Sequence, residues 1–422
     1  MCKKVIFLFI LVLGFALAPA RGAEIPLLSD SFESEPWNIN WDANDTGWTL
    51  SADGNSHSGD FSALTTGDFE GDLICDPLNT SDASIIKLDF WIMNIGVDED
   101  EFVLEALKDG SVWQEIRPDL AELASQGDWY HYACGFIDSN YLQPNFQINL
   151  YSWDIGTDEY LWLDDVTITK IVADTYDVNL LDDGFESTPF DANWNDVASN
   201  WAQGSFANSG SYSAAGTVDN QGQFVCNALD TSDAAAVKVD FWVYKSNIDE
   251  TAFPMYYRST DGWEYAAQLD TARADNQWLH FEEVLVESKY FHTDFQLKFH
   301  CTLDTGENVY VDDVLITKRV IKTSYASVPN PSDGATGINL SQQLRWKAGE
   351  YAKTHDVYFG TNESAVDSAD KNSNVFMGTQ PAVPFEFATF DPNDPTSSEL
   401  LADVWYYWRI DEANEDKGEP NY

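Results

Sequence analysis

Carboxylates recur in matched places near the ends of two similar stretches of this sequence. They are Glu33, Asp164 and Asp165 in the first stretch and Glu186, Asp312 and Asp313 in the second. If the opening and closing strands of a stretch lie side by side, these groups repel one another unless a hard cation neutralises them. Ca²⁺ suits that role because it accepts about six to eight oxygen ligands, including backbone carbonyls. Asp30 and Asp183 are second-line candidate ligands.

Two questions about the doublets Asp164-Asp165 and Asp312-Asp313 stay open at the level of sequence. Adjacent residues of a strand face opposite sides, so the pattern does not tell which Asp of each doublet points at an ion. The alternative is that each doublet only caps a turn and is solvated.

Sugar binding is the second chemistry that the residues could support. Exposed Trp and Tyr rings stack on the flat C–H faces of sugars, and neighbouring Asp, Asn and Gln bond to the hydroxyls. Most Trp residues recur at matching positions in both stretches, which favours packing in the core. The unmatched aromatic residues are the better surface candidates, and they are Trp113, Tyr151 and Trp153, then Tyr256, Tyr257 and Trp263. The alternative for these rings is partial burial under a loop.

The charge balance excludes several classes of partner. The chain of 422 residues has 22 Lys and Arg against 71 Asp and Glu, a formal net charge of −49. Such a surface repels nucleic-acid phosphates and anionic lipids, because binding them requires cations. Hydrophobic residues make up 44% and aromatic residues 14%, which is too many for a disordered acidic chain.

The N-terminal residues resemble an export signal. Met1–Lys4 is basic, Val5–Leu17 is almost wholly apolar, and Ala18-Pro19-Ala20 is a small-residue cleavage pattern. The sequence therefore predicts a signal peptide over residues 1–23 and a protein that is secreted or held at the cell surface. No later apolar run is long enough to form a transmembrane helix.

An exported chain with an even number of cysteines favours disulfide bonds. The four that follow the signal peptide are Cys75, Cys134, Cys226 and Cys301. Of the three possible pairings, Cys75 with Cys134 and Cys226 with Cys301 would keep each bond inside one stretch. The alternative is four free buried thiols.

Catalytic motifs are scarce. The sequence has no Gly-x-Ser-x-Gly elbow, no His-Glu-x-x-His and no phosphate loop. Leu303-Asp-Thr-Gly306 matches part of the aspartic protease motif, but Glu307 stands where Ser or Thr is required. Because 71 acidic residues could hide a glycosidase pair anywhere, their number is not diagnostic. We expect a non-catalytic chain, and two carboxylates facing each other in a cleft would reopen the question.

The two stretches are copies of one module. Short segments rich in Val, Ile, Phe, Tyr and Trp are separated by Gly, Asp, Asn and Ser, which indicates an antiparallel β-sandwich. The matching segments are Asp30–Ser34 with Asp183–Ser187, Lys87–Trp91 with Lys238–Trp242, and Trp162–Lys170 with Tyr310–Lys318.

These motifs, in this order and present twice, resemble the jelly-roll modules of bacterial carbohydrate-binding and adhesion proteins. The resemblance covers residues 27–170 and 180–318 and predicts jelly-roll modules over residues 24–172 and 173–320. It implies a structural calcium near the carboxylates of each module and polysaccharide or a cell-surface glycan as the partner.

The segment from residue 321 resembles a fibronectin type III domain. The residues that carry this resemblance are Val328–Gly337, Leu344–Trp346, His355–Gly360 and Trp405–Asp411. In that family a further strand follows the Tyr-Tyr-Trp-Arg-Ile strand, and a sheet edge without it exposes unpaired backbone groups. We therefore expect residues 321–422 to be a C-terminally incomplete domain of a longer protein.

The sequence as a whole predicts an all-β, secreted, non-catalytic protein that binds glycans through jelly-roll modules containing calcium. Two alternatives remain. The chain is a calcium-stiffened spacer without sugar binding, or it is the accessory part of a secreted hydrolase whose catalytic domain lies beyond residue 422.

Overall fold

The computed structural model describes most of the chain from residue 23 onward. The described ranges are 23–34, 36–42, 47–67, 69–98, 101–117, 120–123, 127–197, 201–217, 220–248, 252–269, 276–322, 326–332, 335–349, 351–383, 386–392, 400–402 and 404–414. The predicted signal peptide lies outside them except for Ala23. Within these ranges, no helix combines the length and apolar character needed to cross a bilayer.

Among the described residues of the first module are eleven strands and one short helix. They are β1 (Ala23–Asp30), β2 (Trp41–Asp42), β3 (Trp48–Ser51), β4 (Ser62–Thr66), β5 (Phe69–Cys75), β6 (Ile85–Ile95), β7 (Phe102–Lys108), β8 (Val112–Arg117), α1 (Leu120–Leu123), β9 (Tyr130–Phe136), β10 (Ile148–Ile155) and β11 (Tyr160–Val172). One sheet has the order β3-β4-β11-β6-β9 with β1 on β11, and the other has the order β2-β5-β10-β7-β8. From β4 to β11 this is the strand order of a jelly roll.

The second module repeats the first. Its elements are β12 (Thr175–Asp183), β13 (Trp194–Val197), β14 (Trp201–Gly204), β15 (Ser213–Thr217), β16 (Asn220–Cys226), β17 (Ala236–Ser246), β18 (Pro254–Ser259), β19 (Gly262–Gln268), β20 (Trp278–Leu285), a 3₁₀ turn (Ser288–Tyr290), β21 (Leu297–Leu303) and β22 (Asn308–Ile321). The sheets are β14-β15-β22-β17-β20, with β12 on β22, and β13-β16-β21-β18-β19. Along β17 buried and half-buried residues alternate, as a strand with one face on a core requires.

The described part of the C-terminal unit contains two three-stranded sheets. Its elements are β23 (Ser327–Asn330), β24 (Leu344–Lys347), β25 (Ala352–Gly360), α2 (Glu363–Asp367), β26 (Phe376–Pro381), β27 (Phe387–Phe390) and β28 (Tyr407–Asn414). The sheets have the orders β23-β24-β27 and β26-β25-β28, and Trp346, Phe359 and Trp408 are among the residues of the core between them. The expectation of an all-β chain is confirmed.

The two modules belong to one compact unit, Ala23–Val320. Strand β9 of the first packs against β20 of the second, where Gly135 faces Val284 and Val286. A Cβ at Gly135 would lie 2.4 Å from Val286 Cγ1, so the close approach of these strands requires glycine.

Charged side chains cross between the modules around this contact. Arg117 at the end of β8 reaches Glu283 of β20, with Nη1 at 3.2 Å from Oε1, and Arg117 Nη2 donates to the Ala266 carbonyl. His131 bonds Asp89 at 2.7 Å, and its Nδ1 lies 3.6 Å from Glu287 of the second module.

The hydrogen bonds from Asp89 and Glu287 raise the pKa of His131 to about 9, so its charge joins the modules at neutral pH. Lys238 of β17 likewise bonds Asp138 of the first module at 3.0 Å.

The expected disulfides are wrong, because all four cysteines are buried free thiols. Cys301 lies opposite Gly222 of β16, four residues from Cys226, which is about 13 Å along a strand. Bonded cysteines need Cα atoms within about 7 Å. Cys75 on β5 and Cys134 on β9 belong to opposite sheets. Burial raises the pKa of the Cys75, Cys134 and Cys226 thiols to about 12.

Candidate functional site

The carboxylates singled out in the first module converge on one loop, residues 55–61, called loop 1. Asp164 is fully buried, and its Oδ2 accepts hydrogen bonds from His57 N at 2.8 Å and Ser58 N at 3.0 Å. Asp165 accepts from Ser58 Oγ at 2.7 Å, and its other oxygen lies 2.7 Å from His57 Nδ1. Both members of the doublet therefore hold loop 1.

A local irregularity in β11 explains how neighbouring residues reach the same loop. Asp165 has φ of 51°, in the left-handed region, and the pairing of β11 with β6 shifts register between Asp164 and Thr167. This bulge breaks the usual alternation of side chains along the strand.

Glu33 holds loop 1 at its far end. Its Oε1 accepts hydrogen bonds from Asp60 N and Phe61 N, each at 2.8 Å. Gly59 has φ of 65°, and a Cβ there would lie 2.3 Å from Glu33 Oε1. Another residue here would adopt a strained backbone and displace the Glu33 carboxylate, so glycine is favoured.

The second module repeats this arrangement on residues 206–212, called loop 2. Asp312 Oδ2 accepts hydrogen bonds from Asn208 N at 2.7 Å and Ser209 N at 3.2 Å. Asp313 accepts one from Ser209 Oγ at 2.7 Å. At the far end, Glu186 Oε1 accepts from Ser211 N at 2.6 Å and Tyr212 N at 2.8 Å.

The second-line candidates lie elsewhere. Asp30 accepts hydrogen bonds from Phe32 N at 2.8 Å and from Trp41 Nε1 at 3.0 Å. Asp183 makes the equivalent bonds to Phe185 N and Trp194 Nε1. Both therefore hold a turn and a core tryptophan.

Hydrogen-bond donors of the loops, rather than other carboxylates, are the nearest partners of these acids. Glu33 Oε1 and Asp164 Oδ2 each accept two N–H bonds, while Glu33 Oε2 has no hydrogen bond among the described residues. Burial raises the pKa of Asp164 and Asp312 to about 6, more than the N–H bonds lower it.

The cluster with metal-like spacing in the described ranges is Asp240, His280 and Glu282, outside the loops. Lys238 Nζ lies 2.8 Å from Glu282 Oε2 and 3.6 Å from Asp240 Oδ2. A lysine ammonium thus already supplies the positive charge that an ion would bring.

A second group of side chains covers the outer surface of the sheet β5-β10-β7-β8, called face 1. Ile148 and Leu150 of β10 point into the core, so the alternating Asn149, Tyr151 and Trp153 point outward. The Tyr151 and Trp153 rings lie 5.3 Å apart between centroids and are half-exposed.

Asn149 positions two carboxylates on face 1. It is 3% exposed, and its Nδ2 donates to Asp72 Oδ1 at 2.7 Å and to Glu105 Oε2 at 3.0 Å. Glu115 lies opposite Glu105. Burial, and then the neighbouring charges of Asp72 and Glu115, raise the pKa of Glu105, although the bond from Asn149 opposes the shift.

The half-exposed Trp113 of β8 completes face 1, since it pairs with Leu107 at the same sheet edge. The three aromatic residues that the sequence singled out in the first module therefore share one surface with a fixed set of hydrogen-bond acceptors.

The equivalent sheet of the second module, β16-β21-β18-β19, has an outer surface called face 2. Tyr256 and Trp263 lie on it, and Trp263 is 41% exposed. The expectation that Tyr257 lies on the surface is wrong. It is 2% exposed in the core, and its hydroxyl donates to Glu283 at 2.8 Å. It follows Tyr256 on β18, and adjacent strand residues face opposite sides.

Sequence reasoning missed Asn149, Asp72 and Glu105. A signal existed for Asn149, which stands two residues before Tyr151 and so on the same side of a strand. Asp72 and Glu105 required the pairing of β5 and β7 with β10, which no local pattern reveals.

None of the known protein-family models matches the sequence, and neither does any curated protein. The structure is similar to the N-terminal CBM22-1–CBM22-2 tandem domain of Xyn10C from Paenibacillus barcinonensis, at 18% identity and a TM-score of 0.28, covering 71% of this chain and 100% of that one. It is similar to the C-terminal family 22 carbohydrate binding module of Clostridium thermocellum Xyn10B, at 19% identity and a TM-score of 0.25, covering 33% and 92%. It is also similar to the K3 cleaved adhesin domain of Lys-gingipain from Porphyromonas gingivalis, at 16% identity and a TM-score of 0.23, covering 34% and 99%.

Proposed function

We propose that the chain is a secreted glycan-binding protein and that face 1 binds a neutral polysaccharide. The observation that carries the proposal is the buried amide of Asn149, which fixes Asp72 and Glu105 beside the half-exposed rings of Tyr151 and Trp153. Ring faces and positioned acceptors are the two elements that recognise a sugar.

The chemistry divides between these groups. Tyr151, Trp153 and Trp113 stack on C–H faces of the sugar rings and remove apolar surface from water. Asp72 and Glu105 accept hydrogen bonds from hydroxyls, and such charge-assisted bonds are stronger than neutral ones. Because Asn149 already holds both carboxylates, little conformational entropy is lost on binding.

Removing the rings of face 1 is expected to abolish most of this binding. The double variant Tyr151→Ala and Trp153→Ala should lose about tenfold or more in affinity, since each ring contributes stacking and buried area. Affinity gel electrophoresis against xylan, mixed-linkage β-glucan, galactan and mannan measures the change. Tyr212→Ala, at an exposed tyrosine of loop 2, is the control. Equal retardation of wild type and double variant by a polysaccharide that binds would refute face 1 as the site.

The pair Asp72 and Glu105 also calls for a test of catalysis, because glycosidases use two carboxyl groups. Both carboxylates accept a hydrogen bond from the same Asn149 nitrogen, and this arrangement orients them as hydrogen-bond acceptors for a ligand. We propose that face 1 binds without hydrolysis, and the release of reducing ends from a bound polysaccharide, lost in Glu105→Gln, would contradict this.

We propose further that loops 1 and 2 take structural calcium, held by Glu33, Asp164 and Asp165 and by their counterparts Glu186, Asp312 and Asp313. One support is that three carboxylates of each module converge on a loop of seven residues. Another is that Glu33 Oε2 accepts no hydrogen bond from the described residues and so could bind an ion. Calcium supplies the charge that offsets their repulsion.

Chelation is expected to lower the melting temperature of the chain. A ligand that binds only the folded state stabilises it by RT ln(1 + [L]/Kd), about 2.7 kcal/mol at a concentration of 100 Kd. Melts in excess chelator and in millimolar Ca²⁺ should therefore differ by several degrees, and the double variant Glu33→Gln with Glu186→Gln should reduce the difference. Identical melts would mean that hydrogen bonds alone hold the loops.

Three other expectations remain proposals. The signal peptide predicted over residues 1–23 supports secretion. The sheets β23-β24-β27 and β26-β25-β28 have the order of the first six strands of a fibronectin type III sandwich, which supports that assignment for residues 321–422. The contacts of β9 with β20 favour a stiff tandem, as the spacer alternative requires, whereas the half-exposed rings of face 1 favour binding.

A further inference from the structure

The outer sheet faces of the two modules differ in charge at equivalent positions. Strand registers place Lys298 of β21 where β10 has Asn149, because they lie opposite Tyr256 and Glu105 respectively. The same registers match the other positions of the two faces. Gln223 corresponds to Asp72, Tyr256 to Glu105 and Tyr265 to Glu115. Trp263 corresponds to Trp113. Face 2 thus replaces three carboxylates and an amide with an amide, two phenols and an ammonium, and retains the tryptophan.

The Lys298 ammonium lies between aromatic rings. Its Nζ is 4.0 Å from the centroid of Tyr256 and 4.3 Å from that of Trp263, within the range of cation–π attraction. Among the described residues it has no carboxylate partner, although the chain contains 71 acidic residues. Partial burial lowers the pKa of Lys298, and no neighbouring anion in the described ranges opposes that shift.

Further basic groups surround Lys298 on face 2. His300 follows two residues later on the same side of β21 and lies opposite Gln223. Arg258 lies opposite Trp263, and its Nη1 donates to Gln296 Oε1 at 2.7 Å. Burial and the charge of Lys298 lower the pKa of His300, so Lys298 and Arg258 carry the positive charge here, and in a strongly acidic chain such a local positive charge attracts anions.

We propose that face 2 binds an acidic sugar, a glycan unit carrying a carboxylate or a sulfate ester, with Lys298 pairing the anion and Trp263 stacking on the ring. The proposal rests on the proposed function, since it assigns a second ligand class to the equivalent sheet of the second module. The two rings hold the ammonium in place before the ligand arrives, so a specific anion is bound at low entropic cost.

Face 1 cannot share this ligand. Asp72, Glu105 and Glu115 repel an anion there, and such repulsion is the usual means of excluding an unwanted partner. One chain therefore distinguishes neutral from acidic glycans by its two copies of the same sheet.

The test is isothermal titration of the full chain with four probes. These are hexagalacturonate, its fully methyl-esterified form, a sulfated carrageenan hexasaccharide and neutral xylohexaose. We expect the free acid or the sulfate ester to bind, the methyl ester to bind about tenfold or more weakly than the acid, and added salt to weaken binding. The two charged probes distinguish carboxylate from sulfate recognition.

Variants assign the binding to face 2. Lys298→Met should weaken acidic binding about tenfold or more without changing the melt, Lys298→Arg should retain it, and Lys353→Met, at an exposed lysine, is the control. The inference is overturned if neither charged probe binds, if Lys298→Met binds them as wild type does, or if the methyl ester binds as tightly as the acid. The Tyr151 and Trp153 variants should change only the binding of neutral glycans. A failure of the proposal for face 1 is therefore distinguished from a failure of the proposal for face 2.

Discussion

Replacing Arg117 by methionine is expected to lower the free energy of unfolding by about 3–5 kcal/mol, the usual cost of breaking a buried ion pair from one side. The Arg117 guanidinium is buried where the modules meet and bonds Glu283 and the Ala266 carbonyl. Without it, the Glu283 carboxylate, whose side chain is 12% exposed, loses the counter-charge of Arg117 and keeps the hydrogen bond from the Tyr257 hydroxyl, which is a neutral donor. The loss therefore comes from the removed counter-charge of Glu283 rather than from lost packing, since methionine keeps most of the aliphatic chain.

Urea denaturation of the full chain measures this effect. Lys87→Met is the matched control, because Lys87 and Glu24 form an exposed pair at 3.1 Å, and such pairs contribute about 0–1 kcal/mol. Adding Glu283→Gln to Arg117→Met should recover much of the stability, as it removes the stranded charge. If Arg117→Met costs no more than Lys87→Met, the ion pair does not stabilise the tandem.

Glu412→Ala is expected to destabilise the C-terminal unit by about 3 kcal/mol or more. Glu412 Oε2 accepts hydrogen bonds from Gly349 N and from His355 Nε2, each at 3.0 Å and buried. The indole of Trp346 can only donate, and it donates to His355 Nδ1 at 3.1 Å. His355 therefore carries its proton on Nε2 and is neutral, and alanine at position 412 leaves two buried donors without an acceptor.

The measurement is the unfolding transition that belongs to this unit, followed by scanning calorimetry. Glu412→Gln keeps an acceptor for both donors and should lose less than Glu412→Ala. Glu386→Ala, at an exposed glutamate of the same unit, should change the transition little. A glutamine variant as unstable as the alanine variant would show that the charge, and not the hydrogen bonding, is what matters.

Much of the fold follows from local sequence signals. The repeated motifs predicted two modules of the same kind, and the alternation along segments such as β17 predicted strands with one buried side. The cysteines show where such reasoning stops. Cys226 and Cys301 lie in one module, but their separation along neighbouring strands depends on register, which is a non-local property.

The sites divide in the same way. The convergence of Glu33 and Asp164 on one loop follows from pairing the first and last strands, which the repeat suggested. That Asp165 joins them depends on one left-handed residue, which no periodic pattern reveals. The error at Tyr257 came from treating adjacent aromatic residues as one group, although a strand sends neighbours to opposite faces.

If faces 1 and 2 bind glycans as proposed, the glycine contact of β9 with β20 sets the geometry in which they would meet a polymer. In tandem binders joined by flexible linkers, the second site samples many positions, and its effective concentration falls as the linker lengthens. Here Arg117 and Gly135 join the modules directly, so a glycan chain bound at one face would meet the other at a single distance and orientation. Avidity then depends on whether the spacing of neutral and acidic units along the polymer matches that fixed distance. The tandem would thus select polysaccharides by the pattern of their substituents as well as by their sugars.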